Sequence, residues 1–173
     1  MKNFFLAICY IFTIKIGFCQ NPFNVNVPEK VLTTFSDKYV NASVGYWEVI
    51  DGKYRVFYDY NQRFQYIIYD ANANILETGI FTEKSAAPSN LVDMFLQKFN
   101  LLQHTETYVS NTSKGVNAYL LVGEDEENKH EMLVTEKGQI IRTYKQKLLT
   151  REQKAEIRKQ LQNQETKQDK IQW

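Results

Sequence analysis

The sequence predicts an α+β protein of two tandem repeats, each one helix packed on a four-stranded antiparallel sheet, plus a C-terminal helical tail. Three observations carry this expectation. Residues 28–39 and 88–99 are alike at an offset of 60. Four strand-like runs with short polar connections follow each of them. The composition, 43% hydrophobic with a net charge of +1 over 173 residues, is that of a chain able to build a core. The small net charge argues against a broad nucleic-acid-binding surface. The 7 Gly and 3 Pro exclude collagen-like and linker-like chains.

The first twenty residues read as a secretory signal peptide. Lys2 opens a charged region, Phe4 to Ile14 is apolar apart from Thr13, and Gly17-Phe18-Cys19-Gln20 closes the stretch. Cleavage is expected after Cys19 or Gln20. The apolar run is short of the roughly 20 residues that span a bilayer. Cys9 and Cys19 are the only cysteines, so removal leaves a chain without thiol or disulfide. It also takes Lys2 and Lys15, leaving 19 basic side chains against 20 acidic ones. The expected location is the periplasm or the cell exterior of a Gram-negative bacterium, with no stable membrane span after cleavage.

The helices come next. Pro28, Val31, Leu32, Phe35 and Tyr39 match Pro88, Leu91, Val92, Phe95 and Phe99. The apolar residues fall at helical spacing, and the prolines suit a helix start. This predicts helices over 28–39 and 89–99.

The strands of the first half are read at Val44–Ile50, Tyr54–Tyr60, Phe64–Asp70 and Ile75–Phe81. Their connections, Asp51-Gly52-Lys53, Asn61-Gln62-Arg63 and Ala71-Asn72-Ala73-Asn74, have hairpin chemistry. The second half gives Thr105–Asn111, Val116–Gly123, Lys129–Thr135 and Gln139–Lys145. Strands joined this tightly run antiparallel. From Leu148 the chain turns polar, and Thr150-Arg151-Glu152-Gln153 fits a capping box opening a solvated helix. The division is therefore a signal segment at 1–20, repeats at 21–87 and 88–147, and a tail at 148–173.

The run Pro28…Phe35…Tyr39, Tyr46-Trp47-Glu48, Asp51-Gly52-Lys53-Tyr54-Arg55-Val56 and Tyr69-Asp70…Ile75-Leu76-Glu77-Thr78 resembles the PepSY-like family of secreted bacterial proteins. That family is related in fold to the β-lactamase inhibitor protein. The resemblance covers about 28–147. The second repeat lacks the Trp-Glu pair and the Asp-Gly turn. The resemblance implies a non-catalytic exported protein that binds or inhibits another protein, and it assigns no residue a role.

The residues point the same way. No cysteine remains for a thiol nucleophile, His104 and His130 belong to no metal motif, and no nucleophile elbow or phosphate loop occurs. No enzyme, no cofactor and no metal are expected. Glu124-Asp125-Glu126-Glu127-Asn128, with His130 and Glu131, is the densest group of oxygen ligands. It lacks the spacing of a calcium loop and reads as a polar hairpin tip.

The aromatic residues are the unusual feature. Five of the 24 rings lie in the first twenty residues, thirteen between Phe23 and Phe81, and six from Phe95 onward. One helix cannot hide thirteen rings on its side of a sheet. Tyr46, Phe57, Phe64 and Tyr69 are the candidates for the less covered face, rimmed by Arg55 and Arg63. Tyrosine-rich faces suit protein binding because they offer rigid apolar area with a polar tip. Three other arrangements hide the surplus: the two sheets cover each other, the tail helix lies on the first sheet, or the protein dimerises. The leading reading is a binding or inhibitory module for a protein or peptide. The alternatives are an accessory subunit docking through its tail, or a small-ligand carrier.

Overall fold

A computed structural model describes residues 25–148, Thr150 and Gln153. The signal segment and most of the tail lie outside the described residues. Helix α1 (Glu29–Lys38) precedes strands β1 (Ser43–Ile50), β2 (Lys53–Tyr60), β3 (Arg63–Tyr69) and β4 (Ile75–Thr82). A short 3-10 turn at Lys84–Ala86 leads into helix α2 (Ser89–Phe99). Strands β5 (Glu106–Thr112), β6 (Asn117–Glu124), β7 (Asn128–Thr135) and β8 (Ile140–Lys147) complete the order.

Local chemistry explains the boundaries. Pro28 and Pro88 stand at the N-caps of α1 and α2, and each carbonyl accepts hydrogen bonds from the third and fourth residues beyond it. Asn100 ends α2 in the left-handed conformation, φ 53°. Asp51 and Gly52 both take positive φ, as do Asn61 and Gln62, which is the two-residue hairpin geometry matched to strand twist.

The expected pair of four-stranded sheets is corrected. All eight strands form one antiparallel sheet in the order β1 to β8. Strand β4 pairs with β5 from Glu77 opposite Thr112 to Thr82 opposite Thr107, which leaves no second sheet. The physical reason is the edge. A sheet ending at β4 and another beginning at β5 would each expose a row of unpaired backbone groups, and pairing them satisfies both rows.

The sheet also curls. Arg55 on β2 reaches Glu131 on β7, and Glu77 on β4 reaches Arg142 on β8. The helices cover only the outer face. Val31 and Phe35 of α1 pack on Trp47, Val56, Tyr58, Ile67 and Tyr69. Leu91 and Phe95 of α2 pack on Leu121, Met132 and Val134. The inner face folds onto itself around Phe57, Tyr66, Ile68, Tyr108, Leu120 and Leu133. Much of the ring surplus is therefore buried inside the curl.

Two local devices shape the interior. The register of β1 shifts between Val44 and Tyr46, so Val44 joins the α1 side while Tyr46 points inward. Gly79 lies opposite Tyr66, and a Cβ there would sit 2.1 Å from the Tyr66 ring. Only glycine lets that ring cross β4.

Candidate functional site

Antiparallel order gives the curl two ends. At one, here the upper end, β2, β4, β6 and β8 finish and the odd-numbered strands begin. The centre of the curl holds a charge network. Arg55 is 0% exposed. It donates two hydrogen bonds to the Glu131 carboxylate at 2.7 and 2.6 Å and a third to Glu48. Burial alone would push the Glu131 carboxyl up, but the Arg55 charge and its hydrogen bonds, with Lys129 and Arg142, hold it at about 2. A fully buried cation is tolerated because two carboxylates face it. Beside it, the Tyr66 hydroxyl donates to Glu77 and lies 2.7 Å from the Ser110 hydroxyl. Burial, and then the Glu77 charge, push the Tyr66 phenol well up. Arg55, Glu131 and Tyr66 are each 0% exposed, so this part of the network is sealed and serves the fold.

Toward the upper end a chain of rings runs out to the surface. Tyr46 stacks on Phe57 at 4.6 Å, and Phe57 stacks on Phe64 at 5.8 Å. Phe64 meets Phe81 at 6.4 Å, and Phe81 meets Tyr108 edge-on at 5.6 Å. Phe57 and Tyr108 are buried, Tyr46 and Phe64 are half-buried, and Phe81 is 47% exposed. Burial, with the Glu48 charge second, raises the Tyr46 phenol. Burial and then Glu106, which accepts the Tyr108 hydroxyl at 2.7 Å, raise the Tyr108 phenol. The Lys129 ammonium sits 5.6 Å from the Phe57 ring. The result is an aromatic mouth with Glu106 and Lys129 beside it.

The structure separates the residues singled out from sequence. Tyr46, Phe57 and Phe64 come together in this ring chain. Arg55 lies below it, with its guanidinium 4.8 Å from the Phe57 ring, and is buried. Arg63 is exposed at the start of β3, opposite Tyr60. Tyr69 is 0% exposed on the outer face, beneath α1 with Trp47. Phe81 belongs to the mouth and was not singled out. Its signal was strand alternation, which puts it on the same face as Gly79 and Glu77. Glu77 and Arg142 complete the interior and escaped the sequence reading as site residues, and Glu131, read there with the polar β6–β7 tip, is instead 0% exposed inside the curl; the partners of all three are remote in the chain.

Two clefts lie elsewhere. One of about 460 Å³ opens at the lower end, lined by Leu76, Glu77, Lys114, Val116, Ile140 and Ile141. Another of about 590 Å³ lies beside the start of α2, lined by Lys84, Pro88, Val92, Asp93 and His104. Among the described residues, no group of three or more His, Cys, Asp or Glu is placed to hold a metal ion. At the β6–β7 tip, Asp125 accepts from the Glu127 and Asn128 amides and lies 2.7 Å from the His130 ring, so its carboxylate is spent on closing the loop. No helix among the described residues is long and apolar enough to cross a membrane.

No family model matches the chain, and no curated protein matches it. The PepSY-like resemblance thus has no family match behind it. Solved structures do match. A protein from Bacteroides eggerthii, described as a periplasmic candidate, is 13% identical, with a TM-score of 0.48 over 70% of this chain and 90% of its own. A DUF2874 family protein from Bacteroides uniformis is 17% identical, with a TM-score of 0.46 over 68% of this chain and 88% of its own. A BLIP-like protein from Bacteroides fragilis is 16% identical, with a TM-score of 0.44 over 75% of this chain and 94% of its own.

Proposed function

We propose that this chain is a non-catalytic, exported binding module that takes a protein or peptide partner at its aromatic mouth. The observation that carries the reading is the ring chain from Tyr46 through Phe57 and Phe64 to the half-exposed Phe81. Its inner rings are fixed by the core, and its outer rings reach solvent. A preorganised aromatic surface loses little entropy on binding. Arg63 and Asp59 at the β2–β3 end, with Glu106 and Lys129, supply polar contacts around it. Export rests on the layout of the first twenty residues. The non-catalytic part of the reading rests on the sequence, which holds no cysteine after the expected cleavage, no nucleophile elbow and no phosphate loop.

The test is capture from envelope extract with wild type, Phe64→Ala/Phe81→Ala, and Val109→Ser as a control on the outer face. Loss of the captured partner in the double variant alone, with an unchanged fold by circular dichroism, supports the mouth. Equal capture by all three proteins sinks it.

A further inference from the structure

We infer, resting on the binding reading above, that the aromatic mouth takes a basic segment of its partner and seats an arginine side chain of that segment on Phe64 and Phe81.

Strand register decides which side chains face the mouth. Residues directly opposite one another on antiparallel strands share a face. Asp59 is opposite Phe64, Phe81 is opposite Tyr108, Glu106 is opposite Val122, and Glu124 is opposite Lys129. Phe64, Tyr108 and Val122 belong to the inner cluster, and Lys129 lies over the inner ring of Phe57, so all of these point inward. The other strand cations of the upper end face outward. Arg63 is one residue from Phe64, and Lys145 is opposite His130, whose ring meets Phe99 of α2. Lys147, two residues further along β8, shares the face of Lys145. Within the strands, the inward charges of this end are thus three carboxylates and one ammonium.

That ammonium is already engaged. Lys129 lies 3.2 Å from Glu131 and 5.6 Å from the Phe57 ring, with its side chain 15% exposed. The innermost ring of the mouth therefore already carries a cation on its face, held by a carboxylate. Among the described residues, no cation pairs with Asp59, Glu106 or Glu124. Asp59 and Glu124 are exposed, and Glu106 is half-buried.

Any partner that covers Phe64 and Phe81 also takes water away from Asp59 and Glu106. An apolar or acidic partner would leave those carboxylates without a counter-charge, which is costly. A guanidinium meets both demands. Its plane stacks on ring faces, its forked N–H donors match carboxylates, and it sheds water more readily than an ammonium. Phe64 and the 47% exposed Phe81 offer the ring faces, with centroids 6.4 Å apart.

The experiment titrates the full chain with acetyl-Gly-Arg-Gly-Arg-Gly-amide and with the same peptide carrying citrulline, which keeps the shape and loses the charge. The readout is the ring shifts of Phe64 and Phe81 by NMR. Saturable shifts are expected with the arginine peptide, and binding weaker by about tenfold or more with citrulline. Asp59→Asn/Glu106→Gln, which keeps side-chain volume and the acceptor for Tyr108, should weaken the arginine peptide by about tenfold, and added salt should weaken it in wild type. Equal binding of the two peptides, indifference to the carboxylate substitutions, or no shift at either ring would overturn the inference. Capture from envelope extract separates the two levels. A partner that survives Asp59→Asn/Glu106→Gln but is lost with Phe64→Ala/Phe81→Ala removes the basic segment and keeps the binding reading; capture unaffected by either pair removes both.

Discussion

Glu131→Gln tests whether the Arg55 pair holds the curl closed. The substitution keeps side-chain volume but leaves a fully buried guanidinium with only Glu48 as a charged partner among its hydrogen-bond acceptors. Removing one member of a buried pair costs about 3–5 kcal/mol, and the retained Glu48 argues for the lower end. A second route gives a similar size. Glu131 is held down from 4.5 to about 2, which is worth about 3 kcal/mol at 1.36 kcal/mol per pH unit. Its folded pKa lies below the unfolded one. The contribution is therefore fully present above about pH 4.5 and is lost as the pH falls through about 2. Urea unfolding at pH 7 should show a loss of about 3 kcal/mol with little change in m, and melting about 10 °C lower. The gap between wild type and variant should narrow as the pH is lowered from 4.5 toward 2. Replacing the whole trio, with Arg55→Met, Glu48→Gln and Glu131→Gln, should recover stability to within about 1–2 kcal/mol of wild type. A loss under about 1 kcal/mol for Glu131→Gln, or one independent of pH, refutes the reasoning.

Other substitutions probe the remaining layers. Gly79→Ala places a Cβ 2.1 Å from the buried Tyr66 ring and should cost about 3 kcal/mol by denaturant melt. Gly45→Ala, with 3.4 Å to the nearest atom, should stay within about 0.5 kcal/mol, so equal losses at the two sites would discredit the Tyr66 packing. Phe95→Ala empties the fully buried anchor of α2 and should cost about 3–5 kcal/mol, whereas a loss below about 1 kcal/mol would mean that α2 is not seated on the sheet. Asp125→Ala should speed amide exchange at Glu127 and Asn128, whose N–H groups it accepts, and unchanged exchange there would show that the loop closes without it.

What the sequence made legible was local. Pro28 and Pro88, with apolar residues at helical spacing, marked both helices almost to the residue because capping and amphipathic burial are short-range effects. Asp51-Gly52 marked its hairpin because few residues accept two successive positive φ angles. The union of β4 and β5 left no such mark, since their pairing depends on two edges meeting after the excursion through α2. Arg55 read as a rim residue because a cation in a strand is usually solvated. Its burial depends on Glu131, 76 residues away. The bulge between Val44 and Tyr46 broke the alternation that would place both on one face. Tyr69 read with Phe64 as part of the less covered face, yet five steps along β3 separate them, an odd number, so they point to opposite faces: Tyr69 packs under α1, and Phe64 lies on the face that closes on itself.

The row of eight strands has a consequence for association between molecules. Strands β1 and β8 are the two ends of the sheet, and an odd number of steps separates them. They therefore run in opposite directions, and β8 of one copy meeting β1 of the next would form an ordinary antiparallel pair. Such a contact is head-to-tail and has no built-in closure, so it would grow into a filament rather than stop at a dimer. The irregular register near Gly45 in β1 and the lysines at 145 and 147 of β8 stand where growth would begin. A bulge spoils a straight template, and clustered cations repel an incoming copy. These residues work against polymerisation, a task separate from the interior network and the aromatic mouth.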